Sequence, residues 1–157
     1  METRRIEIKY TEYKSKSEMP AGEAALLDRA EEMTASSYAP YSDFHVGAAV
    51  QMSNGEVFGG SNQENAAFPS GLCAERTAIY YASAQCPDED VVAVAIAAEY
   101  RGKPTEEVPS PCGACRQAMS QYETKSGKPI KVILGSEGRI LVFSSVADLL
   151  PLAFRCI

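Results

Sequence analysis

Residues Val91 to Ala98 read Val-Val-Ala-Val-Ala-Ile-Ala-Ala, an unbroken apolar run. The run is too short for a typical helix and rich in valine, so it predicts a strand buried on both faces. Such a strand lies inside a sheet that helices cover on each side. The rest of the chain has to supply the neighbouring strands and the covering layers.

The pattern elsewhere meets that demand. Ile6, Ile8 and Tyr10 alternate with Arg5, Glu7 and Lys9, a two-residue period that predicts a short edge strand over 4–10. Pro20 and Gly22 introduce a helix over 22–37, where Ala24, Leu27, Ala30 and Met33 or Thr34 recur at helical spacing. Val46 to Met52 is a strand whose Gly47, Ala48 and Ala49 suit close packing. Ser53-Asn54-Gly55 is a hairpin turn, and a return strand runs over 57–61. Residues 62–71 carry turn chemistry without a period and read as loop, followed by a helix over 72–84. After the buried strand, the stretch from Glu99 to Pro111 holds three prolines and reads as a surface loop. A helix from Gly113 to about Tyr122 and strands over 131–134 and 139–143 come next. A last short helix is expected through Leu150, with Ser145 as its cap and Asp148 as a capping-box partner. The order is one α/β domain, a three-layer α-β-α arrangement about a mixed sheet. Residues 1–20 form an N-terminal extension with the edge strand, and 21–157 form the domain.

Charge and cysteine usage narrow the function. The chain of 157 residues has a net charge of −6 and no Lys/Arg-rich block, so phosphate-backbone binding lacks its driving force and no nucleic-acid partner is expected. No apolar run follows Arg4 and Arg5, and no span is long enough for a bilayer, so no membrane partner is expected and the cytoplasm is the default compartment. Thiols stay reduced there. Five cysteines is an odd number, which excludes a complete disulfide framework and favours a metal for the clustered ones.

Two stretches hold that cluster: Cys73-Ala74-Glu75-Arg76 and Pro111-Cys112-Gly113-Ala114-Cys115. Cys112 and Cys115 are three apart, so at a helix start both sulfurs face one point. Helix N-termini favour thiolates. An isolated Cys-x-x-Cys suits metal and redox chemistry about equally, and each cysteine alone reads as buried packing. A third cysteine at another helix start, followed by Ala-Glu, tilts the reading to a catalytic zinc with three protein ligands, one ion per chain, and an open fourth position. Glu75 beside it is either dipole electrostatics or a proton carrier. Arg76 is either a solvated helix residue or a donor to the sulfurs that offsets their charge. Cys86 and Cys156 lack such company and read as ordinary thiols.

Cys-Ala-Glu-Arg-Thr-Ala followed by Pro-Cys-Gly-Ala-Cys-Arg-Gln resembles the small homotetrameric cytidine deaminases. The resemblance runs from about Leu26 to Phe154. It includes Tyr41-Ser42-Asp43-Phe44-His45-Val46-Gly47-Ala48-Ala49, Asn62-Gln63-Glu64-Asn65-Ala66-Ala67-Phe68-Pro69 and Leu149-Leu150-Pro151-Leu152-Ala153-Phe154. It implies zinc on Cys73, Cys112 and Cys115, and Glu75 as the shuttle that takes a proton from water, protonates N3 of the pyrimidine and relays a proton to the departing amine. It also implies that Asn62 and Glu64 bind the sugar 3′-hydroxyl and that backbone groups at Ala74 and Ser110 hold the base edge. Ala66 and Phe44 contribute to the substrate contacts, and Phe154 from another subunit stacks on the base. The implied partners are a nucleoside and three further copies of the chain, with uridine or deoxyuridine as product in pyrimidine salvage.

Alone, Phe44 and Phe154 would read as core aromatics, and Asn62 and Glu64 as turn residues. Their occurrence together with the cysteine motifs is what gives them a role. Blasticidin-type and tRNA-editing deaminases share the zinc chemistry. The Asn-x-Glu-Asn stretch favours a nucleoside sugar over the antibiotic, while the acidic balance and a cysteine as first ligand disfavour tRNA. A structural zinc scaffold would need a fourth Cys or His and has no use for Glu75. Two positions depart from the family pattern. Phe68 stands where tyrosine is common, and His45, the sole histidine, stands where proline is frequent; a loop histidine beside three cysteine ligands reads as structural. The chain ends three residues after Phe154, so no tail is expected to extend the lid.

Overall fold

A computed structural model describes residues 1–155; Cys156 lies outside the described residues. In chain order the elements are β1 (Thr11–Tyr13), α1 (Ala21–Met33), β2 (Phe44–Met52), β3 (Val57–Ser61), α2 (Ala74–Gln85), β4 (Val91–Tyr100), β5 (Lys103–Pro104), α3 (Gly113–Ser126), β6 (Lys131–Ser136) and β7 (Arg139–Phe143), with short 3-10 turns between some of them. The strands order as β1-β7-β6-β4-β2-β3, with β5 folded back on the end of β4. β4, which carries the apolar run, lies inside the sheet, antiparallel to β2 and parallel to β6. The sheet is therefore mixed.

Alternate residues of each strand face opposite layers. Ala48, Val50, Val94, Ile96, Val132 and Leu134 point to the side of α2 and α3, where Ala78, Ile79 and Met119 meet them. Ala49, Ala93, Ala95 and Ile133 point to α1, where Leu26, Leu27 and Ala30 cover them. This is the expected three-layer α-β-α arrangement. Small residues set how closely the layers approach. A Cβ at Gly47 would lie 2.0 Å from the Ala30 carbonyl oxygen, and one at Gly60 would lie 2.5 Å from the Ala78 nitrogen. Glycine at those two places lets α1 and α2 lie directly on the sheet.

Several boundaries differ from the pattern of the sequence. The edge strand sits at Thr11–Tyr13 rather than over 4–10. Thr11 pairs with Val142, so residues upstream of Tyr10 run past the end of β7 and pair with no strand among the described residues. The Tyr10 ring still packs on Phe143, with centroids 5.4 Å apart, while Ile6 and Ile8 are exposed. Alternation gave the residues a strand-like pattern, but a strand also needs a neighbour to pair with. α1 ends at Met33 and continues only as a 3-10 turn over Thr34–Ser36. The expected last helix is a single 3-10 turn, Val146–Asp148. Ser145 caps it, accepting from the Ala147 amide at 3.0 Å. The stronger anchor is Glu123 of α3 rather than Asp148. Its Oε1 accepts from the Val146 amide, the Ser145 hydroxyl and the Ile130 amide, each at 2.8 Å. Among the described residues no helix is long and apolar enough to cross a membrane.

Candidate metal centre and adjoining cavity

Cys73 is the N-cap of α2 and Cys112 the N-cap of α3. Two local features place them. The chain entering α2 is held by reciprocal bonds between Gln63 and Leu72, both at 2.9 Å, which brings Cys73 beside the Asn62–Glu64 segment. Pro111 is buried immediately before Cys112 and has no N–H to satisfy at a helix start. Cys115 follows on the first turn of α3 and is fully buried. The Cys73 and Cys112 sulfurs are 3.9 Å apart, and those of Cys112 and Cys115 are 3.4 Å apart. All three lie within 4.8 Å of one another, and among the described residues no further His, Cys, Asp or Glu joins the group.

The donor set fits zinc. Zinc–sulfur bonds of roughly 2.3 Å in a tetrahedron separate the sulfurs by about 3.8 Å, close to the spacings found. Three sulfurs this close also compete for protons. The Cys73 thiol is drawn down to about 5, first by a hydrogen bond with Cys115 and then by Arg76, while Cys115 is pushed up as the partner that keeps the proton. A divalent cation replaces those protons and lets all three become ligands. Arg76 donates through Nη2 to the Cys73 sulfur at 3.3 Å. The contact with Cys73 raises the pKa of the guanidinium further, so it stays charged. The guanidinium of Arg76 thus points at the sulfur of Cys73. Its fork is aimed at sulfur, which leaves Nε buried without a partner.

Glu75 is 5% exposed, and burial, reinforced by the charge of Cys73, raises its pKa above the ordinary carboxylate value. A carboxylate buried at this depth without an arginine or lysine pairing directly to it is costly. Residues that incur such a cost concentrate at functional sites.

A cavity of about 300 Å³ opens onto Cys73 and Arg76 and is walled by Tyr41, Asn62, Glu64 and Phe68. Glu64 organises one wall. Its Oε2 accepts from the Tyr41 amide at 2.8 Å, and its Oε1 accepts from the Ser42 hydroxyl. The Ser42 hydroxyl and then the Tyr41 amide hold its pKa below the usual carboxylate value. Asn62 ties the same wall to β2: its Oδ1 accepts from the Val46 amide at 2.8 Å and its Nδ2 donates to the Phe44 carbonyl at 2.9 Å. The rings of Tyr41 and Phe68 meet edge to face, with centroids 6.4 Å apart, and form the lip.

The chain brings Cys73, Cys112, Cys115, Glu75 and Arg76 together and sets Asn62 and Glu64 beside them. Ala74 is the buried first residue of α2, Ala66 is exposed on the loop beyond Glu64, and Ser110 is exposed two residues before Cys112. Phe44 and Phe154 stand apart within the single chain. Phe44 packs on Tyr100 at the rim of a second cavity. Phe154 is 79% exposed, with its carbonyl held by Gln117 Nε2 at 2.9 Å. His45 lies outside the sulfur cluster, bonded to Ser37 and facing Asp43 at 3.3 Å. The thiol of Cys86 donates to Glu56 at 2.9 Å. The sequence reading gave no part to Tyr41, Arg116 or Gln117. No periodicity marks them, because their partners lie far along the chain.

Three converged cysteine sulfurs with no fourth protein ligand among the described residues, a buried carboxylate two residues from Cys73 and a cavity that reaches Cys73 fit a catalytic rather than a closed structural zinc centre. The family model described as the cytidine and deoxycytidylate deaminase zinc-binding region matches residues 21–128, and the chain belongs to that family. A cytidine deaminase of Halalkalibacterium halodurans is 40% identical over 129 residues, covering 82% of this chain and 91% of its own. One from Sporosarcina psychrophila is 38% identical over 74% of this chain and 79% of its own. Among solved structures, a cytidine deaminase from Burkholderia pseudomallei superposes with a TM-score of 0.72 at 39% identity, covering 83% of this chain and 97% of that one.

Proposed function

We propose that this chain hydrolyses cytidine and 2′-deoxycytidine to uridine and 2′-deoxyuridine, releasing ammonia. The observation that carries the reading is Glu75, buried two residues from Cys73 in the cluster of three cysteine sulfurs, with a cavity that reaches Cys73. When bound, zinc supplies Lewis acidity that makes water a nucleophile near neutral pH. Glu75 does the proton work. It accepts a proton from the attacking water and passes it to N3 so that C4 becomes electrophilic; it then takes the proton of the hydroxyl added at C4 and passes it to the leaving amine, which departs as ammonia. Its fixed position on the first turn of α2 lets one carboxylate serve both relays. Arg76 tempers the negative charge of the sulfurs through its bond to Cys73.

Substrate choice rests with the other wall. Asn62 and Glu64 receive the sugar 3′-hydroxyl. Asn62 keeps one amide N–H beyond its bond to Phe44, and Glu64 keeps acceptor lone pairs beyond its bonds to Tyr41 and Ser42. Backbone groups at Ala74 and Ser110 hold the base edge, and Ala66 borders the sugar. Phe44, whose carbonyl Asn62 holds, lines the pocket, and the exposed Phe154 stacks on the base in the site of a neighbouring copy in a homotetramer, which accounts for that ring standing away from the cavity of its own chain. Residues 21–157 are the deaminase unit, in keeping with the family match that begins at residue 21. The setting is nucleoside salvage in the cytoplasm, where the exposed Cys112 stays reduced.

The test is to incubate the protein with cytidine, deoxycytidine, cytosine and blasticidin S and follow ammonia release with and without a zinc chelator. Chelator-sensitive release from the two nucleosides is expected. Release from blasticidin S alone, or release indifferent to the chelator after metal is removed, would overturn the reading.

A further inference from the structure

The segment after β7 is held to α3 at three places. Glu123 anchors Ser145 and Val146, as described above. Arg116 donates through Nη1 to the Leu149 carbonyl at 2.7 Å, and Gln117 donates to the Phe154 carbonyl at 2.9 Å. Leu149 closes the 3-10 turn, so Arg116 satisfies a carbonyl that the turn leaves open. Between the last two anchors the chain contains Leu152, which is 93% exposed and has φ of +58°. A leucine in the left-handed region is strained and holds only where its surroundings impose it. An exposed side chain imposes nothing, so the constraint comes from the two anchored carbonyls on either side.

Arg116 also has a second partner. Its Nε donates to the Pro111 carbonyl at 2.7 Å, and Pro111 is bonded directly to the ligand Cys112. One rigid guanidinium therefore spans the metal-ligand turn and the C-terminal segment. We propose that Arg116 is a positioning residue that couples metal binding to the order of residues 149–155. Zinc fixes Cys112 and with it the Pro111 carbonyl. That holds the guanidinium in place, and the guanidinium holds Leu149. The linkage runs both ways by thermodynamic necessity, so an ordered C-terminal segment slows zinc release. The coupling rests on the zinc reading and on nothing about substrate. It gives the exposed Phe154 a defined position only while the metal is bound.

The experiment uses the full-length zinc-loaded protein and reads amide hydrogen exchange, together with zinc release to a colorimetric chelator. In the parent, stripping zinc should speed exchange across 149–155 at least severalfold and leave Val132–Leu134 unchanged. In Arg116→Gln, whose side chain is too short to span both carbonyls, 149–155 should exchange fast already and no longer respond to zinc, and zinc release should be about tenfold faster. Arg116→Lys should fall between, since an ammonium lacks the planar fork that serves two separated acceptors. Gln117→Ala should loosen the end at Phe154 yet keep the zinc response at Leu149 and Leu150, with zinc release quickened far less than in Arg116→Gln, which separates the coupling through Arg116 from general softening of the segment. An equal zinc response of 149–155 in parent and Arg116→Gln, or no response in either, overturns the proposal. Should Arg116→Gln fail to fold, a zinc response in Arg116→Lys as large as in the parent would overturn it equally. Protein that carries no zinc at all would overturn the metal reading itself, a result distinct from zinc bound without coupling.

Discussion

The two walls of the cavity are built by different means. The metal wall comes from helix starts. Cys73 and Cys112 are N-caps, Cys115 lies one turn in, and Glu75 and Arg76 follow on the first turn of α2. These residues sit on elements packed against the core. The opposite wall, formed by Tyr41 and the stretch from Asn62 to Phe68, is largely irregular and exposed, and is shaped by side-chain bonds from Glu64 and Asn62 to backbone 16 to 23 residues away. The metal ligands are thus carried by the starts of packed helices, and the proposed sugar contacts by a loop. Scaffold and specificity separate in the same way wherever loops are displayed on a rigid frame.

This division makes the two walls separable by mutation. The largest effect is expected for Cys115→Ala, which should take zinc from about one per chain to none and remove turnover. Metal analysis and ammonia release check both. Glu75→Gln should keep zinc and fold but lower turnover by about 10²–10⁴ or more, the range for removing a proton-transfer group; a near-parental rate would end its assignment as shuttle. On the opposite wall, Glu64→Ala should raise KM for cytidine about 10- to 100-fold, in line with losing charged hydrogen bonds of about 1.5–3 kcal/mol, with zinc content unchanged. Loss of zinc in that variant would show that the walls are not independent. The smallest change is Phe68→Tyr, where one neutral hydrogen bond of about 0.5–1.5 kcal/mol could alter KM about two- to tenfold. An unchanged KM would mean that the lip does not reach the sugar. Diluting the protein until copies separate should abolish activity if Phe154 serves a neighbour, and an active monomer would refute the shared site.

Much of the metal wall was legible because its rules are local. Cys112 and Cys115 face one point owing to the helical period, and helix starts favour thiolates wherever they occur in a chain. The buried strand at Val91 was legible for a similar reason, since an apolar run without alternation needs cover on both faces. Failures occurred where a distant partner decides. Residues 4–10 alternate as a strand should, yet pairing is confined to Thr11–Tyr13 because β7 ends opposite Tyr10. Ser145 caps its turn as expected, yet the anchoring expected of Asp148 falls to Glu123, over 20 residues away.

The cysteine cluster and its metal could therefore be named from residue order alone, because helical spacing and thiol chemistry act over a few residues. The meeting of Cys73 with Cys112, the clamp of Glu64 on Tyr41 and the span of Arg116 from Pro111 to Leu149 join segments that only the folded sheet brings together. Hydrogen bonds of that kind follow no period and leave no mark in the order of residues.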